Sequence, residues 1–283
     1  MDFDRKKLSR EEGAQLRPLQ PNTMQPYALL PAPVYVFLRR NEKYVSVKGP
    51  LDFFSDEELE RYSSAGTLFF PDFIDSVLPF QSAAVRVRSV LSIQPRDRQG
   101  SGTGKIFNVP MALSSYEVSD AVLRLVGPLW GRSISLEPFF SVIFVDELCE
   151  AIPATRLIAA RELNVEAFEH AILSSSLLIF LALHLGWCDL PYLNDLRVRS
   201  FDAVMEGVTQ FHGRVSEEVE LFSICRDAAF VEKTRSLTRD WLALRAEIVG
   251  QKLAFRLGRV LRDLAEKSQP TSSVYGKGGL IDG

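Results

Sequence analysis

The chain has 283 residues, of which 46% are hydrophobic, 24% charged and 10% aromatic. That balance excludes global disorder, a collagen-like repeat and a disulfide-dense scaffold. With 33 Lys and Arg against 36 Asp and Glu, the formal charge is -3, which gives no bulk attraction to nucleic acid or to an anionic membrane.

Residues 1–25 are polar, carry Pro18 and Pro21 and show no sustained periodicity, so they read as a disordered arm with too little apolar surface to offset ordering entropy. Order begins near Leu30. Val34-Tyr35-Val36-Phe37-Leu38 and Tyr44-Val45-Ser46-Val47 are β-branched and aromatic runs joined by the polar Arg39 to Lys43, as in a hairpin. Ser55 and Glu58 have capping-box spacing and open a short helix to about Ser63, with Gly66 as its left-handed stop. Thr67-Leu68-Phe69-Phe70 is a third strand. The expected unit is a small β-β-α-β module within an accessory domain spanning 26–93.

Pro95, Gly100, Ser101, Gly102, Thr103 and Gly104 mark a linker over 94–108. Its Gly100 to Lys105 stretch lacks the Ser or Thr that follows the lysine of a phosphate loop, and Ile106 stands there instead. From 109 to 268 the periodicity is helical. Helices are expected over Ser115 to Leu129, Leu136 to Ala151, Ala154 to Leu163, and Val165 to Leu185 behind an Asn164 cap. Another runs from Asp189 or Leu190 toward Phe211, and one more starts at Ser216. The centre of the Val165 helix is apolar all round, as in the middle of a bundle, and the stretch is shorter than the ~20 wholly apolar residues of a bilayer span. A last helix carries Trp241, Leu244, Ile248 and Phe255 on one stripe, a candidate interface for a protein partner or a second copy of the chain. The tail, 269–283, reads as flexible. The fold class is therefore α+β, a small N-terminal β-β-α-β module before a mainly α-helical bundle.

Candidate chemistry is sparse. The three cysteines, Cys149, Cys188 and Cys225, lie apart in apolar surroundings and read as core packing in a reducing, cytoplasmic setting. No secretory leader or membrane-inserting segment is expected. Of the three imidazoles, His170 and His184 fall on one helix about 21 Å apart, too far to share an ion. Glu162, Glu166 and Glu169 precede His170, and Asp146 with Glu147 forms a second acidic pair. No G-x-S-x-G elbow or zincin pattern occurs. Arg86, Arg88, Arg96, Arg98 and Lys105 cluster around the linker, and guanidinium groups suit bidentate phosphate recognition.

Val34 to Phe70, with Asn41-Glu42-Lys43-Tyr44-Val45 and Glu58-Leu59-Glu60-Arg61-Tyr62, resembles the accessory domains that precede bacterial cyclic-di-GMP turnover modules. Phe168-Glu169-His170 followed by Ala182-Leu183-His184-Leu185-Gly186 resembles the opening helix of an HD-superfamily (HD-GYP-like) bundle. In that family the next helix brings a metal-binding His-Asp dipeptide. Here it reads Leu196-Arg197-Val198-Arg199-Ser200-Phe201-Asp202, and no His-Asp dipeptide or GYP signature is present. The resemblance thus implies a degenerate HD domain with His170 as a vestigial position, no metal, no cofactor and no catalysis. It points to a bacterial signalling or scaffold protein acting through protein partners, a homodimer among them, with cyclic-di-GMP as a candidate ligand for the arginines and no nucleic-acid partner. The rivals are a metal-dependent phosphodiesterase built from Glu162, Glu166, Glu169, His170 and His184, and a ligand-responsive transcription regulator.

Overall fold

The computed structural model describes residues 7–8, 16–71, 74–92, 115–135, 139–208 and 211–233. An antiparallel sheet comes first and seven of the eight described helices follow it, so the class is α+β as the patterning implies.

Five strands make the sheet: β1 (Lys7–Leu8), β2 (Leu16–Leu19), β3 (Val34–Leu38), β4 (Lys43–Lys48) and β5 (Leu68–Pro71), in the order β1-β4-β3-β5-β2. The β3–β4 hairpin sets Val36 opposite Val45 and Phe37 opposite Tyr44, whose rings lie 4.8 Å apart. Tyr44 in turn meets Phe69 of β5 edge-on at 5.0 Å. Such cross-strand aromatic pairs fix register as well as adding contact energy. Helix α1 (Asp56–Ala65) starts at the expected capping box. The Ser55 hydroxyl accepts the Glu58 N–H, and the Glu58 carboxylate accepts the Ser55 N–H at 2.9 Å. It stops where Gly66 takes φ +138, a conformation that side chains disfavour. Leu30, Val34, Phe54, Leu59 and Leu68 close a small core between α1 and the sheet.

The disordered arm expected over 1–25 is corrected in part. Leu16–Leu19 pairs with β5 along four residues, and Lys7–Leu8 pairs with β4. An edge strand is held by main-chain hydrogen bonds, so the lack of apolar surface in this segment does not keep it out of the sheet. Pro18 is tolerated because β2 is an outer strand.

The helical part comprises α2 (Ile74–Ser92), α3 (Ser115–Ser135), α4 (Phe139–Leu148), α5 (Ala154–Leu163), α6 (Val165–His184), α7 (Leu190–Met205) and α8 (Ser216–Lys233). Helix α6 is central and packs on α3, α4, α5, α7 and α8. It begins at the expected cap, Asn164 accepting the Ala167 N–H at 3.1 Å. By length and composition it could cross a bilayer, yet 72% of its apolar window is buried inside the bundle. Helix α4 ends at Leu148 rather than at Ala151, and α7 ends before Gly207 (φ +66) rather than near Phe211.

Helix α2 has no counterpart among the expected elements. Its Val77, Phe80, Ala84, Val87 and Leu91 enter the large helical core, and Phe80 stacks on Phe140 of α4 at 4.6 Å. In packing it belongs with α3 and α4, although the expected accessory domain would include it. The two parts also share a seam. Leu51 and Phe53, from the loop before α1, join the large core, and Phe53 meets Phe168 of α6 edge-on at 6.1 Å. The stretch expected as a linker, 94–108, and the stripe of Trp241, Leu244, Ile248 and Phe255 lie outside the described residues, as does the tail.

Candidate functional site

Three charge clusters lie inside the described fold, and each ties elements together. At the seam, Lys48 is 4% exposed, with its ammonium 2.8 Å from Glu58 and 3.9 Å from Asp52 and above the Phe54 ring. Arg161 of α5 donates to Asp52 at 2.9 Å and lies over Phe53. Burial raises the Asp52 carboxyl; it also pushes Glu58 up, but the Lys48 and Ser55 donors outweigh it and hold Glu58 below the usual range. Between α4 and α7, Arg197 is 1% exposed and donates to Asp146 and, at 3.1 Å, to the Glu150 carbonyl. The acidic residue Asp146 of the expected pair is thereby a structural partner.

The third cluster surrounds Glu218 in the first turn of α8, whose side chain is fully buried. It accepts from the Tyr192 hydroxyl, the Arg214 N–H, and the Arg199 guanidinium at 3.2 and 3.3 Å. Arg199 and Arg214 also share Asp195 at 2.7 and 2.9 Å. Burial alone would raise the Glu218 carboxyl; these donors reverse that and depress it.

Two of the three imidazoles are likewise occupied by the fold, and His212 is exposed. His170 Nε2 donates to the Arg226 carbonyl at 2.8 Å, bridging α6 to α8. His184 is buried against the Phe180 ring at 5.3 Å. Glu162 and Glu166 are exposed, on α5 and at the start of α6. Among the described residues no three His, Cys, Asp or Glu side chains gather as metal ligands, so the acidic and histidine set is not brought together. Cys149 and Cys225 are buried and Cys188 half-buried; burial pushes the Cys149 thiol up to about 11.

The arginine cluster separates. Two residues apart on a helix means about 200° of rotation, so Arg86 and Arg88 leave α2 in different directions. Arg88 reaches the Glu147 carbonyl at the end of α4 at 3.4 Å. Arg86 instead lines an open groove of about 530 Å³ between α2 and α3. Arg96 and Arg98 lie outside the described residues.

That groove is the candidate site. Leu78, Pro79, Ser82, Ala83 and Arg86 form one wall, and Arg124, Leu125, Pro128 and Leu129 the other. The floor is aliphatic, and a guanidinium stands on each wall. Leu78 is 49% exposed; Val85, outside the lining but one turn beyond Ser82 on α2, is 50% exposed. Pro79 and Pro128 sit inside their helices. Each removes one N–H from its helix, leaving the carbonyl four residues earlier, that of Arg124 in α3, without its helical donor. Arg124 pairs with Asp120 one turn away at 2.7 Å, with both side chains well exposed. Arg124 is the functional candidate that sequence reasoning misses, because its place in the groove depends on the packing of α3 against α2, for which the sequence carries no local signal. Compared with models of known families, with curated proteins and with solved structures, the chain matches none.

Proposed function

We propose that the protein acts by binding: a non-catalytic signalling or scaffold protein whose partner protein docks on the α2–α3 groove. The observation that carries this reading is the groove itself, an open, largely aliphatic trough with half-exposed Leu78 in one wall and Arg86 and Arg124 on opposite walls. Apolar surface rimmed by charge is the usual anatomy of a protein contact. The internal charge clusters give further support, since the acids and imidazoles singled out for catalysis, Asp146, His170 and His184, serve packing and helix-to-helix bonds.

The test is site-specific photocrosslinking in the native cell, with a benzophenone side chain at Val85 and, as control, at Glu60 on the exposed face of α1. A discrete adduct from Val85 alone, lost when Leu78→Asp is added, is the expected result. Equal labelling from both positions sinks the reading. An adduct of twice the chain's mass identifies the partner as a second copy.

A cyclic dinucleotide such as cyclic-di-GMP is the second reading, favoured by one observation: Arg86 and Arg124 share the groove, as a phosphate diester would need. Calorimetric titration separates it from the first. Saturable heat that is abolished by Arg86→Ala would replace the protein partner with the nucleotide.

A further inference from the structure

Resting on the docking reading above, we propose that the α2–α3 groove takes an acidic amphipathic helix of a partner protein. Its apolar face lies on Leu78, Ala83, Leu125 and Leu129, and its acidic borders meet Arg86 and Arg124.

Shape gives the first argument. The trough runs between two packed helices, and the natural third body for such a surface is another helix, seated ridge into groove. On α2 the lining runs from Leu78 through Ser82 to Arg86, so the wall extends about 12 Å, some two turns of a bound helix. Among the described residues the lining comes from these two helices alone, with no strand to pair with an extended peptide. Chemistry gives the second argument. Among the described residues the lining consists of aliphatic and proline carbons, Ser82 and two arginines, with no aromatic ring on which a purine would stack. Leucine or isoleucine side chains fit that floor.

Charge selects among helices. Both rim charges are positive and stand on opposite walls, so a helix with carboxylates on both borders of its apolar stripe is matched, whereas a basic one is repelled. Asp120 is the local competitor for Arg124. Exposed pairs of this kind are weak, so an incoming carboxylate displaces it readily. That competition makes a prediction a generic sticky surface would not: removing Asp120 strengthens the interaction.

The experiment uses the full chain and a fluorescent synthetic helix of about four turns, with Leu along one face and Glu on both borders, followed by anisotropy. We expect saturable binding that weakens about tenfold in Arg86→Glu/Arg124→Glu and tightens a few-fold in Asp120→Ala. A peptide with Lys in place of Glu should bind the charge-reversed variant better than the native protein, which also shows that the variant is folded. Three results overturn the inference: no saturation with the native protein, equal affinity for a scrambled peptide lacking the stripe, or indifference to both charge changes. If the peptide fails while the Val85 crosslink persists, the partner is not an acidic helix and the groove remains the docking site; if both fail, the docking reading falls as well.

Discussion

Glu218 provides the sharpest energetic test of how the helical part is held together. Its buried carboxylate collects the Tyr192 hydroxyl, the Arg214 N–H and both terminal nitrogens of Arg199, and so joins α7, the loop after it and the start of α8. Removing one member of a buried, hydrogen-bonded ion pair costs about 3–5 kcal/mol, because the partner is left desolvated and uncompensated. Here Arg199 is 26% exposed and keeps Asp195, so water and a second carboxylate relieve part of that cost. We therefore expect about 3 kcal/mol for Glu218→Ala, and about 2 kcal/mol for Glu218→Gln, which retains one acceptor oxygen. With a urea slope near 3 kcal/mol/M, the alanine variant should unfold about 1 M earlier in full-chain circular-dichroism titrations at pH 7. The pH dependence supplies the control. Since the Glu218 carboxyl is depressed in the fold, its stabilisation is fully present above the unfolded value near ~4.3 and disappears as pH falls through the lower folded value. The gap between native protein and Glu218→Gln should thus narrow on moving from pH 7 toward pH 3. A loss below about 1 kcal/mol for the alanine variant, or a gap that stays constant with pH, would refute the assignment.

Two glycines should respond differently. A Cβ on Gly127, inside α3, meets nothing within 4 Å beyond its chain neighbours, but Pro128 follows and crowds a preceding side chain in helical backbone, so the helix-propensity gain of Gly127→Ala is offset and stability should change by less than about 1 kcal/mol. A Cβ on Gly213 would fall 2.8 Å from Glu218 Cβ and 2.9 Å from both the Val215 carbonyl and Val219 Cγ2, and Gly213→Ala should cost about 1–3 kcal/mol, read as a lowered Tm. At the α4–α7 contact, Arg197→Met should cost about 3 kcal/mol by stranding Asp146, whereas Arg197→Met/Asp146→Leu should recover most of it in guanidinium titrations; no recovery would mean that the ion pair stabilises more than apolar packing can.

Sequence patterning captured what is locally determined. The Ser55 box, the Asn164 cap, the Gly66 stop and the hairpin from Val34 depend on residues within a few positions of one another, and all appear where spacing puts them. What escaped depends on distant partners. Strands β1 and β2 exist because β4 and β5 offer unpaired edges, a fact absent from their own short sequences. Helix α2 is punctuated by Pro79 and carries arginines among its apolar residues, so its buried stripe only becomes evident against α3 and α4.

The same division governs the candidate site. Arg86 and Arg88 are neighbours in sequence and were grouped for that reason, but helical rotation sends one to a groove and the other to a helix end. Arg86 instead shares its groove with Arg124, from the next helix. A guanidinium's role is set by what the facing element presents. Opposite a buried carboxylate it becomes a strut, as Arg197 and Arg199 do. Opposite an aliphatic trough it stays at the rim, as Arg86 does. Residue type announces the capacity for an anion, and packing decides whether that anion comes from the chain itself or from another molecule.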